Sequence, residues 1–322
     1  MEPIAKTKMT KIAKIATEKS GGSVFLRYDK TFGAIAFNTI NTILLILIAA
    51  VMLYPFIYII SESISSLDAV ARGAVKLWPV GFSPEAYRRV LTNNLFFTAY
   101  KNTIIYSVSG VALHLFCLVI VAYPLSLKNF YGRNVIMAFF AFTMFFSGGL
   151  IPTYLLVRSL GMLNSIWAII VPSAFDVFYI VIMRTNFENI PMSLRESAYI
   201  DGASHFRILF SIVLPLSMPI IATLFLFIIV SFWNEFFTPL LYITDLKKQP
   251  LQVMLRQLIV KNSFGDFVSF QESYMVKPMP PPGLQKAIKD AAIIVSTGPI
   301  LLVYPFIQRY FVKGIMIGSI KG

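Results

Sequence analysis

The sequence predicts an all-α integral membrane protein with six transmembrane helices. The first ground is composition. Of 322 residues, 57% are hydrophobic and only 13% are charged, more apolar surface than a soluble domain can hide. The second is run length. Long apolar stretches recur along the chain, and at about 1.5 Å rise per residue some 20 residues cross a bilayer core. The third is a contrast. Residues 193–215 form a long polar-and-small segment between two strongly apolar blocks.

Residues 1–31 carry Lys6, Lys8, Lys11, Lys14, Lys19, Arg27 and Lys30. This stretch is too long and too polar for the leading region of a signal peptide, and no small-residue cleavage site follows the first apolar block. It reads as a cytoplasmic tail, either a basic amphipathic helix on the membrane surface or a solvated segment. The domain proper spans 32–322. Spans are expected at 32–60, 102–125, from 134 with an interruption at Ser147, Gly148, Gly149 and Pro152, at 164–183 with Pro172 inside, at 215–243, and at 291–312. Between them, 61–100 is a polar connection suited to short surface helices. Residues 244–290 form a long polar loop, and 313–322 a short tail.

Six spans put both termini on one side. The basic N-terminal tail, Lys128 and Arg133 in a short turn, Arg184, Arg309 and Lys313 all favour that side as cytoplasmic, since long loops carry little weight in the charge rule. The net charge of +13 lies mainly in tails and loops. Membrane topology and anionic lipid headgroups account for it there, without nucleic acid as a partner. Cys117 is the single cysteine, so no disulfide forms within the chain and no metal cluster is expected. His114 and His205 lie far apart in sequence and read as structural. The chain has no Gly-rich phosphate loop, no paired-His motif and no supported Ser-His-Asp arrangement. It is expected to be no enzyme and to hold no cofactor of its own.

The polar segment has its own logic. Ser193 with Glu196 three residues on predicts a capping box and a helix start. Gly202 suits the left-handed residue that ends such a helix. Ser204 can cap a second short helix leading to Pro215, at the start of a membrane helix. Ser197, Ala198 and Ala203 are small enough for a partner's backbone to approach. Arg195, Glu196 and Asp201 offer charge for pairing.

The spaced set Glu196, Ser197, Ala198, Gly202, Ile212, Leu214 and Pro215 resembles the EAA loop of ABC-transporter permeases, with Ser197 in place of the commoner alanine. The likeness covers residues from about 32 to 322 and implies an ABC importer type I permease fold. It also implies that the 185–214 loop holds a coupling helix seated in a cleft of the ATP-hydrolysing subunit. The run from Gln308 to Gly314, with Lys321 and Gly322 at the end, resembles the tail of carbohydrate-uptake permeases. That tail projects toward the ATPase dimer in the family, and Arg309, Tyr310 and Lys313 also suit an interfacial anchor. The chain is similar to the second permease of maltose-type systems. Around Gly148, Gly149 and Pro152 it resembles permeases grouped with complex oligo- and polysaccharide uptake. The partners implied are a homologous second permease, two ATPase subunits that bind ATP and Mg, an extracytoplasmic solute-binding protein and a glycan, in the cytoplasmic membrane.

Residues 231–239 resemble the fifth-span pattern of carbohydrate permeases. Trp233, Asn234 and Glu235 there mark either a pathway or gate, or an interfacial packing cluster. Gly148, Gly149 and Tyr154 mark either a cavity wall or a kink without ligand contact. The 244–290 loop either reaches into the binding protein, as its position in the maltose-type family implies, or packs on its own domain. Lysine and arginine in the outer segments are compatible with an acidic glycan such as a uronate polymer. Two other classes stay open. A secondary transporter driven by an ion gradient needs ionisable groups deep in its spans, and Glu235 and His114 are almost the only ones. A membrane scaffold without transport leaves the spaced motif unexplained.

Overall fold

The computed structural model describes residues 32–260 and 282–319. The expected basic tail 1–31, the part of the long loop at 261–281, residues 320–322 and the side chains of 260, 282, 303, 304 and 306–319 lie outside the described residues. The helices are α1 (Phe32–Ser63), α2 (Leu67–Ala71), α3 (Glu85–Leu91), α4 (Asn94–Ser126), α5 (Arg133–Phe145), α6 (Leu150–Ser159), α7 (Trp167–Ile170), α8 (Val177–Glu188), α9 (Met192–Ile200), α10 (His205–Ile208), α11 (Leu214–Leu216), α12 (Met218–Asn234), α13 (Phe237–Tyr242), α14 (Leu251–Val260) and α15 (Pro282–Ser319). A π-helical turn, Leu209–Val213, joins α10 to α11. Among the described residues, extended pairing is limited to one bridge between Ser65 and Phe82.

The chain divides into two units, Met1–Phe56 and Ile57–Gly322. The described part of the first is the apolar length of α1, whose side chains are hydrophobic all round except at Asn38, Thr39, Asn41 and Thr42, as suits a membrane-spanning helix. In the second unit, α4 is the central element. It packs on α8 and on α12, and α12 packs on α15. Val111, Leu118, Ala122 and Leu125 of α4 share one buried core with Ile180, Met183 and Phe187 of α8 and with Leu224, Ile228 and Phe232 of α12. The crossing of α4 and α12 is close because α4 carries Gly110 there. A methyl group at that position would stand 2.7 Å from the Phe232 ring.

A second core explains the largest departure from expectation. The stretch 244–290 reads as a polar loop, yet α14 occupies 251–260, and α15 begins at Pro282 rather than near 291. Leu251, Met254, Leu255 and Leu258 form one apolar stripe at helical spacing. Leu284, Ala287, Ile288, Ala291 and Ala292 form another, and the two stripes meet over Ala86, Val90, Phe96 and Ala99. The same end holds an ion pair. Glu62, 1% exposed by side chain, receives Lys286 Nζ at 2.6 Å, and Tyr58 donates to it at 3.3 Å. The hydrogen bond to Glu62 is the main cause that raises the Lys286 ammonium above its ordinary value.

The middle spans are more broken than the sequence suggests. Among the described residues, α1 and α4 are long and apolar enough to cross a bilayer alone. The expected third span is α5 and α6, bent by 113° at 146–149. The expected fourth is α7, a loop and α8, because Pro172 stops the helix that α7 begins. The expected fifth does not start at Pro215. An 80° bend at Ser217 separates α10 and α11 from α12, which ends at Asn234.

Gly110→Ala is expected to destabilise the membrane domain by about 1–3 kcal/mol through overpacking against Phe232. Adding Phe232→Leu should recover part of the loss. Thermal unfolding of the purified protein in detergent checks both; a single variant as stable as wild type would show that the contact is loose.

Candidate coupling and translocation site

The polar segment folds as an elbow. Pro191, with ψ 129°, ends the preceding turn, and α9 starts at Met192. This corrects the expected capping box. Ser193 is already inside the helix, and no side chain caps its first turn. The Pro191 carbonyl instead accepts from Leu194 N at 3.2 Å. The far end is as expected. Gly202 has φ +77°, its N–H donates to the Tyr199 carbonyl at 3.0 Å, and Ala203 N donates to the Ala198 carbonyl at 2.9 Å. That paired closure is a Schellman end. Ser204 Oγ then accepts from Arg207 N at 3.4 Å, which starts α10. Tyr199 Oη and His205 Nδ1 lie 2.8 Å apart and brace the two helices.

One face of α9 is presented outward. Glu196, Ser197, Asp201 and Gly202 are exposed and Ala203 is half-buried. Arg195 and Ala198 turn the other way. Arg195 is 3% exposed, and its guanidinium donates to the Phe187 carbonyl near the end of α8. Its expected role as an outward charge is therefore corrected: a short helix with one docked face must bury whichever residues share that face, and Arg195 lies one turn before Ala198. Next to it, Glu188 receives both Arg133 and Arg184, the latter at 2.8 Å. Arg184 Nε also donates to the Leu125 carbonyl at the end of α4, at 3.0 Å. The elbow is thus tied to the end of α8, and that end is itself tied to α4 and α5.

The expected pathway residues separate. Trp233 is buried. Its indole N–H donates to the Ser296 carbonyl at 3.2 Å, and Tyr100 meets its ring edge-on, so it packs α12 on α15. Asn234 is exposed at the end of α12. Glu235 stands in the break after α12, and its Oε1 accepts from Phe237 N at 2.9 Å and Thr238 N at 3.0 Å, capping α13. At the third-span bend, Gly149 has φ +84°, which its lack of a Cβ makes inexpensive. Gly148 lies beside it in open space. Tyr154 stacks on Tyr242 of α13 at 5.8 Å. Asn164, unnoticed in the sequence, ties the same region. With φ +58°, its Oδ1 accepts from Thr244 N at 2.7 Å and Asp245 N at 3.1 Å.

Glu235 also lines a cavity of about 230 Å3 with His114, Ser173, Asp176, Tyr179 and Ser231. Asp176 caps α8, accepting from Phe178 N at 2.8 Å. So α4, α8 and α12 each aim polar groups into one space inside an otherwise apolar bundle. The signal for His114 was a lone ionisable side chain within a long apolar helix. A second cavity, of about 500 Å3, opens at the far end of α12, lined by Asn234, Gln252, Arg256 and Thr297 among others. Arg256 forms no ion pair among the described residues. Since α12 has 17 residues, that cavity lies about 25 Å along α12 from the Ser217 bend.

Residues 111–317, which include both the elbow and the polar cavity, match the family described as the binding-protein-dependent transport system inner membrane component. The chain belongs to that family. This permease is 43% identical, over 86% of its length and 96% of the relative's, to the polygalacturonan/rhamnogalacturonan transport system permease protein YtcP of Bacillus subtilis. It is 41% identical to Protein LplC of the same organism, over 89% of its length and 95% of the relative's. Among solved structures it resembles a crystal structure of a bacterial ABC transporter involved in the import of the acidic polysaccharide alginate. That match has a TM-score of 0.78 and 38% identity, covering 90% of this chain and all of the other. The permease is a membrane component of an ABC importer, all-helical as its sequence predicts.

Arg195→Ala removes a buried charged hydrogen bond, so the permease should lose roughly 1.5–3 kcal/mol of stability. Exposed Glu196→Ala should stay within about 0.5 kcal/mol of wild type. Thermal unfolding of both variants tests this division of the motif into an anchoring face and a presented face.

Proposed function

We propose that the chain is one half of a heterodimeric permease that imports acidic oligo- or polysaccharide fragments, driven by ATP. The observation that carries the reading is the elbow: a short helix with one anchored face and one exposed face of Glu196, Ser197, Asp201 and Gly202. Such a helix is a handle for a separate motor. In this reading two ATPase subunits bind ATP and Mg and grip that face. A homologous permease completes the passage, and an extracytoplasmic binding protein delivers the glycan to the side of the 244–290 segment. In the same reading both termini lie in the cytoplasm, and the last residues, which resemble the tail of carbohydrate-uptake permeases, reach toward the ATPase dimer.

The mechanism follows from how the elbow is tied. Closure of the ATPase dimer displaces α9 as a rigid body. Arg195 passes that displacement to α8 through the Phe187 carbonyl, and the shared core of α8, α4 and α12 tilts with it, exchanging inward for outward access to the cavity.

Two observations support an acidic substrate. The relatives named above are a permease of a polygalacturonan/rhamnogalacturonan transport system and a transporter of the acidic polysaccharide alginate. The far cavity also presents Arg256 without an acidic partner among the described residues, and a guanidinium suits a uronate carboxylate. An ion-driven carrier fits less well, because Glu235 and Asp176 both spend an oxygen on helix capping.

In proteoliposomes holding the whole importer and its binding protein, Glu196→Lys and Gly202→Asp should each cut uptake of trigalacturonate by at least roughly tenfold, an interface loss of about 1.4 kcal/mol or more. Stimulation of ATP hydrolysis by loaded binding protein should disappear as well. Wild-type uptake by correctly inserted variants would remove the coupling role.

A further inference from the structure

The polar cavity has an unfilled set of hydrogen-bonding atoms. His114 is 5% exposed, lines the cavity, and its Nε2 has no hydrogen-bond partner. A buried polar atom left unpaired is costly, and one inside an apolar helix marks a functional position by default. The two carboxylates on the same wall are half used. Asp176 gives Oδ1 to Phe178 N, and Glu235 gives Oε1 to Phe237 N and Thr238 N. Among the described residues, neither second oxygen carries a hydrogen bond. Ser173 and Ser231 add hydroxyls, while Tyr179 and Phe232 add apolar ring surface.

We propose that this space is a glycosyl subsite, built to take the hydroxyl edge of one sugar ring during passage. The proposal rests on the transport reading above and adds that this chain itself touches the substrate. Sugar hydroxyls donate to the spare carboxylate oxygens, and one more pairs with His114 Nε2 in either direction. The ring's apolar face lies on Tyr179 or Phe232. A substrate carboxylate is excluded from this position, because Asp176 and Glu235 would repel it. The described residues offer no group of three metal-ligating side chains here. The subsite therefore reads hydroxyls, whereas charge is met elsewhere along the passage.

The test compares His114→Phe and His114→Gln in the complete reconstituted importer. The probes are trigalacturonate and its carboxyl-reduced, neutral counterpart. Phenylalanine fills the space without a hydrogen bond, and glutamine keeps one. His114→Phe should lower the uptake of both probes roughly tenfold, the worth of one lost hydrogen bond to a charged or buried group. His114→Gln should restore most of it. Thermal stability of His114→Phe should stay close to wild type, since the unpaired Nε2 is removed along with the ring's contact to the Ser173 backbone.

A fall in stability together with uptake would make His114 a structural residue and overturn the proposal. So would unchanged uptake, or a defect confined to the charged probe. If the wild-type importer carries only the neutral probe, the acidic-substrate reading fails, and the subsite is still decided by His114→Phe on that probe. If it carries neither, the transport reading falls and the subsite with it.

Discussion

Backbone groups set free inside an apolar bundle must find partners within the chain, because hydrocarbon offers none. The helices of this permease are interrupted at 146–149, 171–176 and 235–236, and its polar side chains are distributed accordingly. Asp176 caps α8, Glu235 caps α13, and Asn164 gathers the N–H groups that follow α13. A polar residue in such a stretch has a structural duty before any other. What remains unspent after that duty is the part available to a passing solute.

The same constraint explains how much could be read without coordinates. The far end of the elbow was legible because its signals are local, while the expected capping box at Ser193 and Glu196 gave way to a start at Met192. A glycine that closes a helix and a serine that opens the next depend on neighbours a few residues away, and both behave as expected at Gly202 and Ser204. The broken third span was legible for the same reason, from Gly149 and its φ of +84°. What was not legible was direction. Nothing in the spacing says which face of a nine-residue helix docks, so Arg195 reads as an outward charge until the Phe187 carbonyl is seen to receive it. Trp233 reads as a gate residue until its indole is found against Ser296.

A different blindness hid α14. Lys247, Lys248, Arg256 and Lys261 make the 244–290 stretch look like solvated loop, and the eye follows the charge. The stripe Leu251, Met254, Leu255 and Leu258 was present throughout, at the period an amphipathic helix requires. The expected loop also ran too far, since Pro282 already begins a helix. His114 is a different case: a single histidine in an apolar helix has no patterned company in the sequence, and the convergence of α4, α8 and α12 on one cavity supplies it.

The tie between Arg195 and Phe187 has a mechanical side. It joins the elbow helix to a helix packed into the core, since Phe187, Met183 and Ile180 are all at or near zero exposure. A soft joint there would dissipate a push as local bending. With a buried guanidinium clamped to a carbonyl, the junction between this short helix and α8 is a stiff one rather than a swivel.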